Sequence, residues 1–379
     1  MEKIITDESK INEILDRGVE IIYPGKEALK KLLMSGKKLR VYCGYDPSAA
    51  ALHIGNAISI NKLGQFQKLG HQVIFLIGDF TGMIGDPTDK KSARKQLTRD
   101  EVLNNSKNFV KQASAYLDFG GDNPALVKYN SEWSDKITFR DLIDITSNFT
   151  VQQMIQRDMF QERLKNEKPI HLHEFLYPVA QGYDSVALDV DLEIGGNDQM
   201  FNMMCGRDLA KAMNGKDKLV MTMKLLADEN GKKMGKSEGN VVFLDESPEN
   251  MYGKIMSWPD GVLCVAFELC TDTPMDELNS IASSLKDGSA NPRDLKMRLA
   301  FEVTRINHGE DGAKNAEDFF VRTIQKKEIP LNQIPVMELP SDTQAQPKNI
   351  LDLLVFAGLA GSKGDARRLI EQKGIRING

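Results

Sequence analysis

His53 and Asn56 stand three residues apart in Leu52-His53-Ile54-Gly55-Asn56, soon after the apolar run Leu39–Tyr45. On a helix that spacing puts both side chains on one face. In the first turn after a strand, backbone N–H groups and the helix dipole attract phosphate. An imidazole and a carboxamide there can donate hydrogen bonds to a phosphoryl oxygen as it gains charge. Ser48 adds a third donor, and Gly55 permits close approach of a nucleotide. A second cluster, Lys233-Met234-Gly235-Lys236-Ser237, follows in the segment Asp228–Asn240, which holds three glycines and three lysines. Lys233 and Lys236 there suit a leaving pyrophosphate, clamped in the transition state. The end of this segment imitates a P-loop, but Gly231 lies one residue too close for G-x-x-x-x-G-K-S. Nucleotidyl transfer needs positioning and charge stabilisation rather than a covalent nucleophile. A carboxylate attacking a phosphate is already ionised at pH 7, so the lack of a Ser/His/Asp triad is no objection.

The elements that must position these residues follow from apolar patterning. Leu39–Tyr45 and Gln72–Gly78 read as buried strands bounded by glycine, and His53–Leu69 between them reads as a helix. Strand, helix, strand over this length is a βαβ unit of a parallel, doubly wound sheet. Ligands in such sheets sit at the carboxyl ends of strands, where His53 and Asn56 fall. Residues 99–118, 139–166 and 250–325 look mainly helical, with breaks near Pro259-Asp260-Gly261 and Asn291-Pro292. Val186–Ile194 reads as a further strand ending at Gly195-Gly196-Asn197-Asp198. Residues 326–348 carry four prolines among Gln, Asn and Ser and read as a linker. Two short helical patterns follow in 349–379, and over 348–379 six basic residues face three acidic ones.

The chain has 379 residues, enough for two or three domains. At 41% hydrophobic and 27% charged its composition is that of an ordinary soluble protein. A net charge of −5 argues against nucleic acid wrapped over the whole surface, though not against a local basic patch. No run reaches the ~18 apolar residues of a membrane span. The charged N-terminus has no apolar signal core, so a cytoplasmic location is expected. Four cysteines without a C-x-x-C pair speak against zinc and fit a reducing compartment. His171 and His173 stand at i, i+2 with no third ligand evident, so no metal site is read there.

In combination, the HIGN and KMGKS clusters resemble the HIGH and KMSKS signatures of class I aminoacyl-tRNA synthetases. Tyr42-Cys43-Gly44-Tyr45-Asp46-Pro47, Thr81–Pro87, Tyr177–Asp184 and Glu193–Gln199 sharpen the resemblance to the tyrosyl-tRNA synthetases of bacteria. The resemblance implies that Tyr42 and Asp184 hold the phenolic hydroxyl of L-tyrosine, and that Asp86, Tyr177 and Gln181 hold its ammonium, with Gly44 and Thr81 also in the amino-acid site. It implies that Cys43, Asp46, His53, Gly55, Asn56, Gly196, Asp198 and Lys236 contact ATP, which arrives with Mg²⁺. Ser48, His53, Asn56, Lys233 and Lys236 are then the catalytic set. Independently, Tyr177, Gln181 and Asp184 lie at i, i+4 and i+7, on one helical face. Buried, such a face needs partners for each polar group, and a tyrosine substrate supplies them. A site built to bond a hydroxyl rejects the analogue lacking it by about 10⁵-fold, a figure known for the tyrosyl enzymes themselves, which accounts for the lack of any recognisable editing domain. Asn56 in place of the last His of HIGH, and Gly235 in place of the Ser of KMSKS, depart from the pattern but leave the donors and both lysines.

The tail resembles the start of an S4-type RNA-binding domain, which implies that Lys363, Arg367 and Arg368 face phosphates. The expected organisation is a Rossmann-like α/β catalytic domain over 1–245 with a doubly wound parallel sheet and inserted helices, a helical anticodon-stem domain over 246–325, a linker over 326–348 and a partial S4 domain over 349–379. The expected activity is tyrosine–tRNA ligation, with ATP, L-tyrosine and tRNA(Tyr) as partners, no protein-bound zinc, no membrane association, and a homodimer as implied by the family. Two rivals are a relative that adenylates another amino acid, such as tryptophan, and a paralogue that only binds structured RNA.

Overall fold

The computed structural model describes residues 4–88, 96–227, 241–326, 349–372 and 374–375, with Met337 and Pro347 singly. The chain forms two compact units, 1–321 and 322–379. The first is built on a six-stranded sheet of β1 (Val19–Tyr23), β2 (Arg40–Tyr45), β3 (Gln72–Ile77), β4 (Leu126–Tyr129), β5 (Leu192–Gly196) and β6 (Leu219–Met223), in the order β1-β6-β5-β2-β3-β4. Neighbours from β6 to β4 pair in parallel, and β1 is an antiparallel edge on β6. From β2 the chain winds outward to β3 and β4, then returns to lay β5 and β6 on the other side of β2. The β2–β5 boundary is therefore a topological switch point, where open α/β sheets take their ligands.

Residues of β2 alternate between the faces. Val41, Cys43 and Tyr45 join the large core shared with the helix Ile54–Lys68, whereas Tyr42 packs with Ile74, Leu76, Leu188 and Val190 on the other face. That second face is covered by the helices Leu172–Ala187 and Met200–Asn214, which meet where Gly182 approaches Gly206; a Cβ on Gly182 would lie 3.1 Å from the Gly206 nitrogen. β3 reads QVIFLI because it is buried on both sides, as strands in the middle of a parallel sheet are. Each fully buried side chain of this kind contributes about 1.5–3 kcal/mol.

The expected strand Val186–Ile194 is corrected. Val186 and Ala187 finish the helix Leu172–Ala187, Asp189 turns the chain at φ 47°, and the strand is Leu192–Gly196. The apolar alternation in that stretch serves a helix end and a turn before it serves the strand. The strands β1, β4 and β6 have no alternating signature in the sequence: β1 is mostly exposed, β4 has only four residues and β6 is buried throughout. The helical reading of 250–325 corresponds to Pro248–Met256, Leu263–Cys270, Met275–Lys286 and Pro292–Phe320, the last broken at Gly309 with φ 78°. Their apolar faces share the large core with β2, β3, β5 and β6.

In the second unit Ile350–Phe356 and Lys363–Glu371 are helices, capped by Asn349 and Ser362. Most of the proposed linker, and Arg376 onward, lie outside the described residues. Among the described residues no helix is long and apolar enough to cross a membrane.

Candidate active site at the carboxyl end of the central strand

Gly44 is exposed while Tyr42, Cys43 and Tyr45 around it are buried. The sheet surface is thus open above its central strand, near the switch point. Asp46 follows directly. Its carboxylate accepts from Thr81 Oγ1 at 2.6 Å and from the Tyr177 hydroxyl at 2.8 Å, so it links the ends of β2 and β3 to the helix Leu172–Ala187. This junction requires glycine at 78: a Cβ there would lie 2.0 Å from Asp46 Oδ1 and 2.4 Å from Thr81 Oγ1.

Asp184, two turns along that helix from Tyr177, is buried. It accepts from Asn130 Nδ2 at 3.2 Å and Trp133 Nε1 at 2.8 Å. Burial pushes its pKa well above the ordinary carboxyl range, against the pull of those two donors. Asn130 also donates to Thr81 Oγ1 at 2.9 Å. Asn130 and Trp133 were not found from sequence. The buried acid called for donors, but only the path of the chain after β4 shows which residues supply them.

Tyr42 is 1% exposed, and its hydroxyl meets Ser185 Oγ at 2.9 Å. Gln181 Nε2 donates to Glu193 Oε1 at 3.0 Å. Asp86 accepts from the Thr88 N–H at 2.9 Å and from Gln199 Nε2 at 2.8 Å. The Thr81–Pro87 segment is thereby joined to the turn after β5. In that turn a Cβ on Gly196 would lie 2.6 Å from Asp198 Oδ1, so only glycine lets that carboxylate sit against the backbone. Cys43 occupies the sheet face opposite Tyr42, and burial pushes its thiol up to about 11.

His53 precedes the helix Ile54–Lys68, and its backbone N–H is capped by Asn56 Oδ1 at 3.0 Å. The carbonyl end of Asn56 is thus committed to the cap, and the donor end is what the amide has to offer an anion. The imidazole lies against Gly55, where a Cβ would sit 3.0 Å from two ring atoms. Ser48 is exposed, its backbone turned back on the Asp46 carbonyl at 2.7 Å. Lys233 and Lys236 lie outside the described residues. The chain leaving their segment is described, and it docks on the first cluster. His53 and Phe243 form an antiparallel bridge, with Ile54 N–H on the Val242 carbonyl at 2.9 Å and Leu244 N–H on the Leu52 carbonyl at 2.8 Å.

In the second unit Lys363 pairs with Asp352 at 2.5 Å and Arg368 with Asp365, while Arg367 is exposed.

Donors at a helix N-terminus and a helix face of buried Tyr177 and Asp184 with half-buried Gln181 together suit the adenylation of an amino acid. Comparison with known proteins agrees. Residues 34–325 match the model of the family described as tRNA synthetases class I (W and Y). The chain is 44% identical to a tyrosine–tRNA ligase of Thermotoga maritima over 376 residues, 99% of this chain and 91% of the relative. It is 43% identical to a tyrosine–tRNA ligase of Moorella thermoacetica, over 97% of this chain and 88% of the relative. Among solved structures, it resembles a C-terminally truncated mitochondrial tyrosyl-tRNA synthetase of Coccidioides posadasii with a TM-score of 0.65 at 23% identity, covering 84% of this chain and 92% of that one. It also resembles the tyrosyl-tRNA synthetase of Archaeoglobus fulgidus with a TM-score of 0.63 at 20% identity, covering 82% of this chain and all of that one. At such identities the solved structures speak to the fold alone.

Proposed function

The chain belongs to the class I tRNA synthetases of the tryptophan and tyrosine type, and we infer that it is a tyrosine–tRNA ligase. In the first step the carboxylate of L-tyrosine attacks the α-phosphate of ATP, forming tyrosyl-adenylate and releasing pyrophosphate. In the second the tyrosyl group passes to the 3′-terminal adenosine of tRNA(Tyr). The observation that carries the choice of amino acid is the likeness, along almost the whole chain, to tyrosine–tRNA ligases. The buried Asp184 carboxyl beside Tyr42 is what a phenolic hydroxyl requires and an indole does not.

The roles we assign rest on the resemblance to the tyrosyl enzymes. Tyr42 and Asp184 receive the phenol above the open backbone of Gly44. Asp86, Tyr177 and Gln181 receive the ammonium, with Thr81 and Asp46 bracing them. His53 and Asn56 donate to the α-phosphate as its charge grows, with Ser48 as a third donor. Gly55 leaves room for the nucleotide, and we assign Gly196, Asp198 and, by the resemblance alone, the buried Cys43 to its ribose. Mg²⁺ enters as the companion of substrate ATP, and Lys233 and Lys236 neutralise the departing pyrophosphate.

For the chain as a whole we propose that 1–245 carries catalysis and 246–325 takes the anticodon stem. Lys363, Arg367 and Arg368 in the tail contact tRNA phosphates. A homodimer is favoured by large apolar side chains left in solvent on the inserted helices: Phe139 at 78%, Ile143 at 55% and Leu172 at 80% exposure. A cytoplasmic location fits protein synthesis.

The test is ATP–pyrophosphate exchange with each of the twenty amino acids, beside His53→Ala, Lys236→Ala and Asp184→Ala. Exchange with tyrosine alone, lost in the first two variants and cut at least 100-fold in the third, is the expected result. Exchange driven by another amino acid would overturn the substrate. RNA binding without any exchange would point to a paralogue that has lost catalysis.

A further inference from the structure

Glu193 and Lys218 form an ion pair shut off from solvent, with side-chain exposures of 2% and 0%. Replacing such a pair with apolar residues is often neutral or stabilising, so stability alone does not account for it. Its surroundings do. The Lys218 ammonium has three hydrogens, and each has an acceptor: the Glu193 carboxylate, Ser185 Oγ at 2.9 Å and the Met203 carbonyl at 3.1 Å. The other oxygen of Glu193 accepts from Gln181 Nε2 at 3.0 Å. Ser185 Oγ lies 2.9 Å from the Tyr42 hydroxyl and 3.3 Å from Glu193 Oε2. One buried pair thus touches groups that serve both ends of the amino-acid site.

Donor and acceptor counting gives these contacts a direction. A carboxylate only accepts, so Gln181 must turn its NH₂ to Glu193, and its carbonyl oxygen is the end left for a ligand. An ammonium needs such an acceptor. A glutamine at 193 would bond either end of Gln181 and leave that choice open. Ser185 accepts from Lys218 and gives its own hydrogen to the Glu193 carboxylate, so in the 2.9 Å contact with Tyr42 it is the Tyr42 hydroxyl that donates. The lone pairs of the Tyr42 oxygen are then the end left for the phenol hydrogen of a substrate. Hydrogen bonds in such a chain polarise one another, and burial with the nearby acids keeps the Tyr42 hydroxyl protonated. The backbone makes room for the arrangement at Gly206, where a Cβ would lie 2.6 Å from Lys218 Nζ and 2.7 Å from Ser185 Oγ.

We propose that the buried Glu193–Lys218 pair is the positioning unit of the amino-acid site, holding Gln181 as acceptor for the substrate ammonium and, through Ser185, Tyr42 as acceptor for its phenol hydrogen. The proposal rests on the reading of the chain as a tyrosine–tRNA ligase. The three residues touch no substrate atom; they set the polarity of two that do.

The test uses the full chain and two variants in ATP–pyrophosphate exchange. Ser185→Ala removes one hydroxyl and leaves the pair intact. Glu193→Gln with Lys218→Met removes the pair without leaving a lone buried charge, which Lys218→Met alone would do. Each should raise KM for tyrosine about tenfold, the worth of one directed hydrogen bond. Each should also narrow the preference for tyrosine over phenylalanine and leave KM for ATP unchanged. If the double variant does not fold, Ser185→Ala decides alone. Tyrosine KM and preference within twofold of the wild type, or a fall in kcat alone, would overturn the proposal and make the pair a packing device. A wild-type chain that exchanges with another amino acid would overturn the ligase reading itself, and the proposal with it.

Discussion

The backbone N–H of Ile54 donates to the carbonyl of Val242 across 2.9 Å, and so joins two stretches that stand far apart in sequence. Ile54 begins the helix whose first turn carries His53 and Asn56. Val242 is two residues past the segment that carries Lys233 and Lys236. With the return bond from Leu244 to Leu52, residues 242–244 are fixed to the turn that carries His53.

Glu246 holds that stretch. It accepts from the Phe243 N–H at 2.9 Å and from Lys254 Nζ. Glu246→Ala should slow single-turnover formation of tyrosyl-adenylate about tenfold, since small misplacements near reacting groups are costly, while leaving tyrosine affinity within twofold. An unchanged rate would separate the bridge from catalysis.

Gly78→Ala should be among the most damaging small changes in the chain. Its methyl would press on Asp46 and Thr81, the braces of the amino-acid site, at distances no real Cβ occupies. We expect kcat/KM for tyrosine to fall at least about 100-fold, and thermal unfolding to report a loss of about 1–3 kcal/mol from overpacking. Wild-type activity in this variant would show that the junction yields without cost.

Lys62 gives the stability curve a defined slope. Its ammonium is buried on the Ile14 and Arg17 carbonyls at 2.8 and 2.9 Å, and burial, with Arg17 second, lowers its pKa to about 7. Between about pH 7 and 10 the unfolded lysine holds a proton that the folded one has released. The unfolded state binds more protons there, so stability rises with pH, by up to about 1.4 kcal/mol per unit. Below pH 7 both states are charged and this slope vanishes. Urea melts should show the wild type gaining on Lys62→Met from pH 7.5 to 9.5; parallel curves would sink the assignment.

Phe139→Asp with Ile143→Asp should disrupt self-association without unfolding the protomer, because both side chains already stand in solvent. Light scattering should find the wild type at twice the 42.4 kDa chain mass and the double variant at that mass. A wild type already at the single mass would remove the homodimer from the proposed function.

Much of the site was legible in the chain because its chemistry is local. The spacing of His53 and Asn56 needs only a strand followed by a helix. The spacing of Tyr177, Gln181 and Asp184 needs only a helix. Both motifs lie in segments whose apolar pattern is strong enough to define the element. The stretch Val186–Ile194 misled because a helix end, a turn and a strand share one apolar alternation, and only the φ of Asp189 divides them.

The sequence by itself determined the reaction class, the βαβ frame and the polar helix face, since each is built from motifs and apolar patterns that are local in the chain. Tertiary structure alone decided which groups become partners across the sheet. Asn130 and Trp133 on Asp184, Glu193 with Lys218 behind Gln181 and Tyr42, and Val242 on Ile54 are contacts between elements remote in the chain. A buried polar group must find a partner, and the sequence shows that need without showing who meets it. The order of the strands and the crossing of the helices at Gly182 and Gly206 supply the answer, because they set which backbones come close enough.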